Sequence, residues 1–242
     1  MNPFSCRCCQ HNHAQGWPYY AEHLVLATPD NGAALALYAS CQADITVGNN
    51  QKIKLIEKTN YPFEESIQLL VQTEKNVDFP LYLRIPSWSP DASIKINGKK
   101  VKTSLIAGQY VRIQRTWSND DVIELNVPMH LNLRTWQVNK NSVSIDYGPL
   151  TFSLKIQEKY IKRDSRQTAI GDSQWQNDAD AENWPSFEIF PASAWNYALV
   201  LDKENALKNF EVIRKNWPDN NFPFTQESCP IEIKAIGRKV PS

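Results

Sequence analysis

The sequence has 242 residues, of which 42% are apolar and 11% aromatic. A chain of this size and composition can form one large or two ordinary domains with hydrophobic cores. Its 26 basic residues balance 26 acidic residues, so there is no charge excess of the kind that binds nucleic acid or an anionic membrane. No apolar run reaches the roughly 18 residues of a membrane helix, and the first residues do not form a signal peptide. The compartment is left open.

Residues 6–13 concentrate the side chains that bind soft metal ions. Three of the five cysteines and two of the four histidines lie there: Cys6, Cys8, Cys9, His11 and His13. Thiolate and imidazole ligands together suit zinc. A thiolate beside a bound cation also stays ionised, which makes it a candidate nucleophile. The spacing fits no standard zinc finger, so a tetrahedral site would need ligands from elsewhere.

Two other interpretations of this cluster stay open. Free cysteine is among the most buried residue types, so Cys8 and Cys9 could simply be core residues. Disulfides are the third interpretation, although adjacent cysteines bridge only with strain and an odd count leaves one thiol free. We rank metal or catalytic use first, because a plain core segment would not need the polar residues at positions 11–13.

Residues 13–23 are expected to form a short helix. Pro18 either interrupts this helix or lies in its first turn, where a missing N–H group is tolerated. We expect Trp17, Tyr19 and Tyr20 to be packing residues, since that is the commoner fate of aromatic side chains, although their rings could also stack on a sugar.

From Leu24 onward the pattern predicts strands. The residues Pro29-Asp30-Asn31-Gly32 predict a hairpin turn between two apolar runs, and Asn97-Gly98 predicts another. Apolar residues alternate at Ile53 and Leu55 and again in several later segments. Short strands with turn signals every 8–12 residues or so are typical of a β-sandwich. No segment between Leu24 and His130 has the period of a helix.

A second β region is expected from Leu131. The sequence Asp146-Tyr147-Gly148-Pro149 interrupts its alternation and predicts a bulge or a tight turn. Residues 161–183 are polar and without pattern, which predicts a long surface loop. Residues 202–228 are mixed, and the segment from Ile231 onward predicts a last strand.

The remaining polar residues offer weaker candidates for chemistry. Glycosidases use two carboxylates across one cleft, but neighbouring strand residues such as Glu64 and Glu65 point to opposite faces, so a solvated turn is favoured. His23 and His130 are single histidines with expected structural roles. Cys41 and Cys229 are isolated and expected to be buried.

The element Cys8-Cys9-x-x-Asn12, followed by an aromatic helix and by "LVLATPDNGAALALYAS", resembles the zinc- and cysteine-dependent β-L-arabinofuranosidases of glycoside hydrolase family 127 (GH127). The resemblance extends over this whole chain but only over the C-terminal part of the family. It implies an all-β fold with two β-sandwich domains that follow the last helix of a missing (α/α)6 barrel. The implied ranges are 1–23 for the end of the barrel, 24–130 with 230–242 for the first sandwich, and 131–229 for the second. The last strand would then pair with the first sandwich.

The resemblance also implies a function. Cys8 would be the nucleophile of a retaining glycoside hydrolase and a zinc ligand, and Cys9 a second ligand. The acid/base glutamate and the other ligands, a glutamate and a cysteine, would precede this sequence, so we expect the chain alone to be inactive. Cys6 and His11 depart from the family pattern, which leaves the substrate sugar open. The expected partner is a carbohydrate, with no nucleic acid and no membrane, and a homo-oligomer is left open.

The main rival is a non-catalytic carbohydrate-binding or scaffold module in which the cysteine cluster is a structural metal site. The all-β remainder and the eight tryptophans support it. Aromatic residues exposed on one face of a sandwich would favour this alternative. A cysteine segment ordered by metal would favour the enzyme.

Overall fold

The computed structural model describes residues 8–168 and 180–241. These residues form two short helices, a 3-10 turn and 19 strands, which confirms the predicted all-β class. They separate into a larger compact unit of residues 20–153 and 202–234 and a smaller one from the rest. The domain ranges implied by the family resemblance stay a prediction. Within the described ranges, neither helix is long and apolar enough to cross a membrane.

The first helix and the strands of the first sandwich follow one another along residues 8–126. Their bounds are α1 (Cys8–Glu22), β1 (Val25–Ala27), β2 (Ala33–Leu35), β3 (Cys41–Val47), β4 (Gln51–Thr59), β5 (Ser66–Gln72), β6 (Val77–Arg84), β7 (Ser93–Ile96), β8 (Lys99–Lys100), β9 (Tyr110–Trp117) and β10 (Asp121–Asn126). No helix lies between Leu24 and His130, as the sequence predicted.

Two sheets enclose the core of this sandwich. One has the strand order β1-β2-β6-β9 and the other β3-β4-β5-β10-β7-β8. All the pairings are antiparallel except that of β2 with β6. Alternate residues of each strand face inward, so apolar side chains from both sheets form one buried cluster. At its centre the indole of Trp117 is fully buried and donates to the carbonyl oxygen of Phe79 at 3.0 Å.

The predicted hairpin turns are confirmed. The loop between β1 and β2 is closed by a hydrogen bond of 3.1 Å that Thr28 N donates to Gly32 O. Within this loop Asn31 has a positive φ of 56°. Asn97 and Gly98, with φ of 49° and 74°, join β7 to β8. Positive φ at both central residues is the geometry that matches the twist of hairpin strands.

The larger unit contains a second, smaller cluster of apolar residues. Its elements are β11 (Leu131–Trp136), a 3-10 turn (Gln137–Asn139), β12 (Ser142–Tyr147), β13 (Leu150–Phe152), β17 (Phe210–Arg214) and β18 (Ile231–Ala235). The break at Gly148-Pro149 is a tight turn between β12 and β13. β18 pairs with β17 and not with the first sandwich, contrary to expectation. Phe63, Met129, Tyr147 and Ile231 are the buried members of this cluster.

Besides residues 8–19 of α1, the smaller unit consists of short elements. They are β14 (Glu158–Arg163), α2 (Ser165–Thr168), β15 (Ser186–Pro191), β16 (Tyr197–Leu199) and β19 (Gly237–Lys239). β14 pairs with β15, and β16 pairs with β19. The end of β14 and α2 fall within the predicted loop 161–183, of which residues 169–179 lie outside the described part of the chain.

Candidate functional site

Helix α1 carries the cysteine pair that the sequence singled out. It covers Cys8–Glu22, whereas the predicted helix spans only residues 13–23, so Cys8 and Cys9 are helical and Asn12 lies one turn after Cys8. Pro18 lies inside the helix, neither interrupting it nor in its first turn. Cys6 and the side chains at 8–11 and 13 are outside the described part of the structure. The nucleophile and ligand roles of Cys8 and Cys9 therefore stay predictions.

The aromatic residues of α1 are more exposed than expected. Trp17 and Tyr19 are each 63% exposed, so they are not core residues as the sequence suggested. Tyr20 is the least exposed of the three, and its hydroxyl donates a hydrogen bond to the backbone oxygen of Tyr38 at 3.4 Å. This contact belongs to the larger unit, which begins at Tyr20.

A cluster of tyrosines surrounds that contact. Tyr38 is buried, its ring lies edge-on to Tyr61 with centroids 5.9 Å apart, and its hydroxyl donates to Arg84 O at 2.5 Å. The Arg84 guanidinium lies 5.8 Å from the Tyr38 ring centroid and donates from Nε to Ala36 O at 2.6 Å. We call Tyr20, Tyr38 and Tyr61 the tyrosine cluster. It lines one end of the first sandwich.

Beside the tyrosine cluster lies an acidic residue that sequence reasoning missed. Glu57 is 2% exposed, and its Oε2 is 4.0 Å from the Cys41 sulfur. Burial raises the pKa of Glu57 to about 8, against a lowering contribution from the Ala39 backbone N–H. Burial and then the charge of Glu57 raise the pKa of Cys41 to about 11. The signal was in the strand, because the alternation of Ile53 and Leu55 continues inward to Glu57.

The other candidates of the sequence analysis have structural partners. Glu64 accepts a bond from Asn60 Nδ2 at 3.0 Å, while Glu65 binds Arg214 at 2.9 Å. The two carboxylates therefore face different partners and do not form a catalytic pair. His130 lies 3.3 Å from Asp91, and both side chains are exposed. His23 lies 3.5 Å from the neighbouring Glu22.

The described side chains do not supply a metal site of their own. Within residues whose side chains are described, no three histidine, cysteine or acidic side chains lie close enough to share an ion. Cys41 and Cys229 are free thiols and are half-buried, less than the sequence suggested.

The outer face of the six-stranded sheet is concave and polar. A shallow depression of about 790 Å³ lies over β3, β4 and β5. Its lining residues include the exposed Asp44, Thr46 and Lys52 and the half-buried Lys54. None of the residues lining this depression is aromatic, so it offers no stacking platform for a sugar ring.

Comparison with known proteins gives the family context of this fold. Residues 32–129 match the family model of the GH127 middle domain of β-L-arabinofuranosidases. A solved structure described as a glycoside hydrolase is 25% identical, with a TM-score of 0.56, over 65% of this chain and 26% of its own. No curated protein gives a significant match.

Two further solved structures share the fold at lower identity. A GH127 β-L-arabinofuranosidase from Geobacillus stearothermophilus T6 is 21% identical with a TM-score of 0.56, over 79% of this chain and 35% of its own. A GH127 β-arabinofuranosidase is 21% identical with a TM-score of 0.55, over 83% of this chain and 34% of its own. The chain thus spans about a third or less of the structures it matches. The match to the GH127 middle domain covers residues 32–129, which form most of the first sandwich, and the likeness to these two GH127 structures is one of fold.

Proposed function

We propose that the protein containing this chain is a retaining glycoside hydrolase that acts on β-L-arabinofuranosides or related glycosides. The observation that carries this proposal is the match of residues 32–129 to the GH127 middle domain. The position of the Cys8-Cys9 pair supports it, because α1 leads directly into the strands of that domain. Glycoside hydrolase activity is the coarser part of the proposal, and the arabinofuranoside substrate is the finer part.

Cys8 has the chemistry that the first step requires. Its thiolate would attack the anomeric carbon, so that a C–S bond forms as the bond to the leaving oxygen breaks. A glutamate outside this sequence would donate a proton to that oxygen. The same glutamate would then remove a proton from water, whose oxygen displaces the sulfur and frees Cys8. Two displacements at one carbon return the original configuration, which is the retaining outcome.

The donor set of α1 fits part of a zinc site. Cys8 and Cys9 would supply two thiolates, which are preferred zinc ligands, and the remaining ligands would come from outside this sequence. Zinc, when bound, lowers the pKa of a coordinated thiol and so keeps it ionised. The extra residues Cys6 and His11 would be either additional metal ligands or the mark of a subgroup with another substrate.

The alternative of a carbohydrate-binding or scaffold module receives less support. In the first sandwich the large rings of Tyr38, Phe79 and Trp117 are buried. The depression on its outer face is lined by charged, amide, hydroxyl and aliphatic side chains. The smaller unit does expose aromatic side chains, among them Tyr160, Phe187, Phe190 and Trp195, and these are the residues on which a sugar-binding role would depend.

A panel of aryl glycosides tests the proposal. We expect the full-length protein to hydrolyse an arabinofuranoside or a related substrate with retention. The 242-residue chain alone should be inactive if the acid/base glutamate lies outside this sequence, as the family resemblance implies, because general acid–base assistance contributes 10²–10⁴-fold. The same chain should bind none of the sugars tightly if it is not a binding module. Sugar binding by the chain together with an inactive full-length protein would favour the alternative.

A further inference from the structure

Glu57 occupies a position in the first sandwich that an apolar residue would normally fill. It is the third inward-facing residue of β4 after Ile53 and Leu55. On the neighbouring strands it pairs with Cys41 of β3 and with Leu69 of β5, which is itself buried. The side chain therefore points into the core at the end of the sandwich that carries the tyrosine cluster.

The carboxyl group is poorly compensated there. Oε1 is inaccessible to solvent, and no donor in the described part of the chain bonds to it. The Cys41 sulfur lies 4.0 Å from Oε2, and the carboxyl also accepts a bond from the Ala39 backbone N–H. An ionised carboxylate in such a site would lose its hydration without gaining an ion pair, which costs several kcal/mol.

The groups around Glu57 are uncharged near neutral pH. Cys41 faces it from β3, with its sulfur 4.0 Å from Oε2. After burial, the charge of Glu57 also contributes to raising the pKa of Tyr20 in α1 and of Tyr38 in the segment after β2. Leu69 is the residue beside it on β5. The nearby cation, Arg84 of β6, acts on Tyr38 and Tyr61 but is not among the causes of the pKa shift of Glu57.

We propose that Glu57 is a pH-sensitive element of the first sandwich: its neutral carboxyl is compatible with the closed tyrosine cluster, and its ionisation loosens the contact of Tyr20 with that cluster. The proposal stands on the burial of the carboxyl and on its oxygen Oε1, to which no donor in the described part of the chain bonds. It does not depend on the proposed enzymatic function.

The direction of the effect follows from proton linkage. In the unfolded chain a glutamate titrates near pH 4.5, whereas Glu57 in the folded chain titrates near pH 8. Because the folded-state pKa of Glu57 is raised, the stability that its protonated carboxyl contributes is fully present below the unfolded-state pKa. This stability is lost as pH rises through the folded-state pKa. Between about pH 4.5 and 8 the folded chain keeps a proton that the unfolded chain releases. Above this window the loss is complete and the slope disappears.

The first experiment compares the wild-type chain with Glu57→Gln, which is neutral at every pH. In thermal melts from pH 5 to 9.5, the melting temperature of the variant should rise relative to that of the wild type as pH increases. We expect the difference in melting temperature to grow by roughly 5–10 °C between pH 5 and 8 and then to level off. A constant baseline offset from the amide does not matter, because the readout is the pH dependence of the difference.

A matched control is Glu124→Gln. Glu124 lies on β10 of the same sheet but on its outer face, so its melting curve should run parallel to the wild type at all pH values. A Glu57→Gln difference that is equally flat would overturn the proposal.

Two further measurements keep the test independent of how well the variant folds. The carboxyl carbon of Glu57, followed by NMR in the wild type, should titrate near pH 8; a midpoint near 4.5 would overturn the proposal. Hydrogen exchange of residues 20–24, corrected for the intrinsic rate at each pH, should accelerate between pH 7 and 9 in the wild type only. Equal protection in both proteins across that range would show that ionisation does not loosen Tyr20.

Discussion

Arg214 binds Glu65 across 149 residues of chain, with 2.9 Å between its Nη2 and Oε1 of the carboxylate. The same nitrogen donates to the Tyr147 hydroxyl at 2.9 Å, and the guanidinium lies 5.6 Å from the Tyr147 ring centroid. Oε1 of Glu65 also accepts from the backbone N–H of Met129 at 3.1 Å. The Arg214 side chain of β17 thus links the C-terminal segment of the larger unit to the start of β5.

We expect Arg214→Met to destabilise the larger unit by about 1 kcal/mol, because it removes a charge-assisted bond and a bond to Tyr147 while keeping the aliphatic stem. The ion pair is only half-buried, so solvent limits its contribution. Denaturant unfolding measures the change. Arg238→Met is the control, since Arg238 is exposed on β19 and its loss should leave stability within about 0.5 kcal/mol. Equal stability of both variants would contradict a stabilising role for the Arg214 contacts.

Gly32 is the position in the first hairpin where a side chain does not fit. A Cβ atom there would lie 2.2 Å from the backbone oxygen of Pro80, and a backbone atom cannot rotate away. Gly32→Ala should therefore destabilise the chain by roughly 1–3 kcal/mol, the usual cost of overpacking.

The same substitution at Gly16 is the matched control. Nothing lies within 4 Å of a Cβ at this helical position, and alanine favours a helix over glycine by about 0.5–1 kcal/mol. Gly16→Ala should therefore leave stability unchanged or raise it slightly. Denaturant midpoints that fall equally in both variants would show that the contact with Pro80 is not the cause.

The strands and turns of the first sandwich could be predicted because each one carries a local signal. Ile53 and Leu55 alternate with polar residues, and Asn97-Gly98 supplies the two positive φ angles of a tight turn. Such signals need no knowledge of the rest of the chain. Strand β17 carries a weaker signal within a mixed segment, and its place is fixed by pairing with β18 and by the contacts of Arg214, which are distant in sequence.

The candidate site was predictable only in part. The cysteine cluster is visible in the sequence as a concentration of residue types, but the helical conformation of Cys8 and Cys9 was not, since Gly16 and Pro18 both disfavour a helix interior. The burial of Glu57 was not predicted, because a glutamate that follows two alternating apolar residues is usually the exposed polar end of a strand. Its burial depends on Tyr20, Tyr38 and Cys41, which reach it from other elements.

The Cys41 thiol should react slowly with alkylating agents although it is only half-buried. Burial and the charge of Glu57 raise its pKa to about 11, so little thiolate is present at pH 8. Alkylation of Cys41 at pH 8 should be roughly a hundredfold slower than that of an unperturbed cysteine. Mass spectrometry of the labelled peptides measures this rate, and Glu57→Gln should increase it by removing a negative charge. A rate equal to that of a free thiol in the wild type would contradict the assigned environment.

The last prediction concerns the two helical cysteines in the full-length protein. Cys8→Ala should reduce hydrolysis on the order of 10⁴-fold or more, because it removes the nucleophile together with one zinc bond. Cys9→Ala should reduce activity chiefly through lost zinc, so its residual activity should follow the metal content, which is measured in every variant. Cys229→Ala is the control, since Cys229 is a free thiol of the larger unit whose sulfur contacts Ile231 O at 3.1 Å, and it should retain activity and zinc. The variant Cys6→Ala tests whether the extra thiol affects substrate choice. Such an effect would change the order of the hydrolysis rates on the aryl glycosides. Full activity in Cys8→Ala would eliminate the proposed thiolate mechanism.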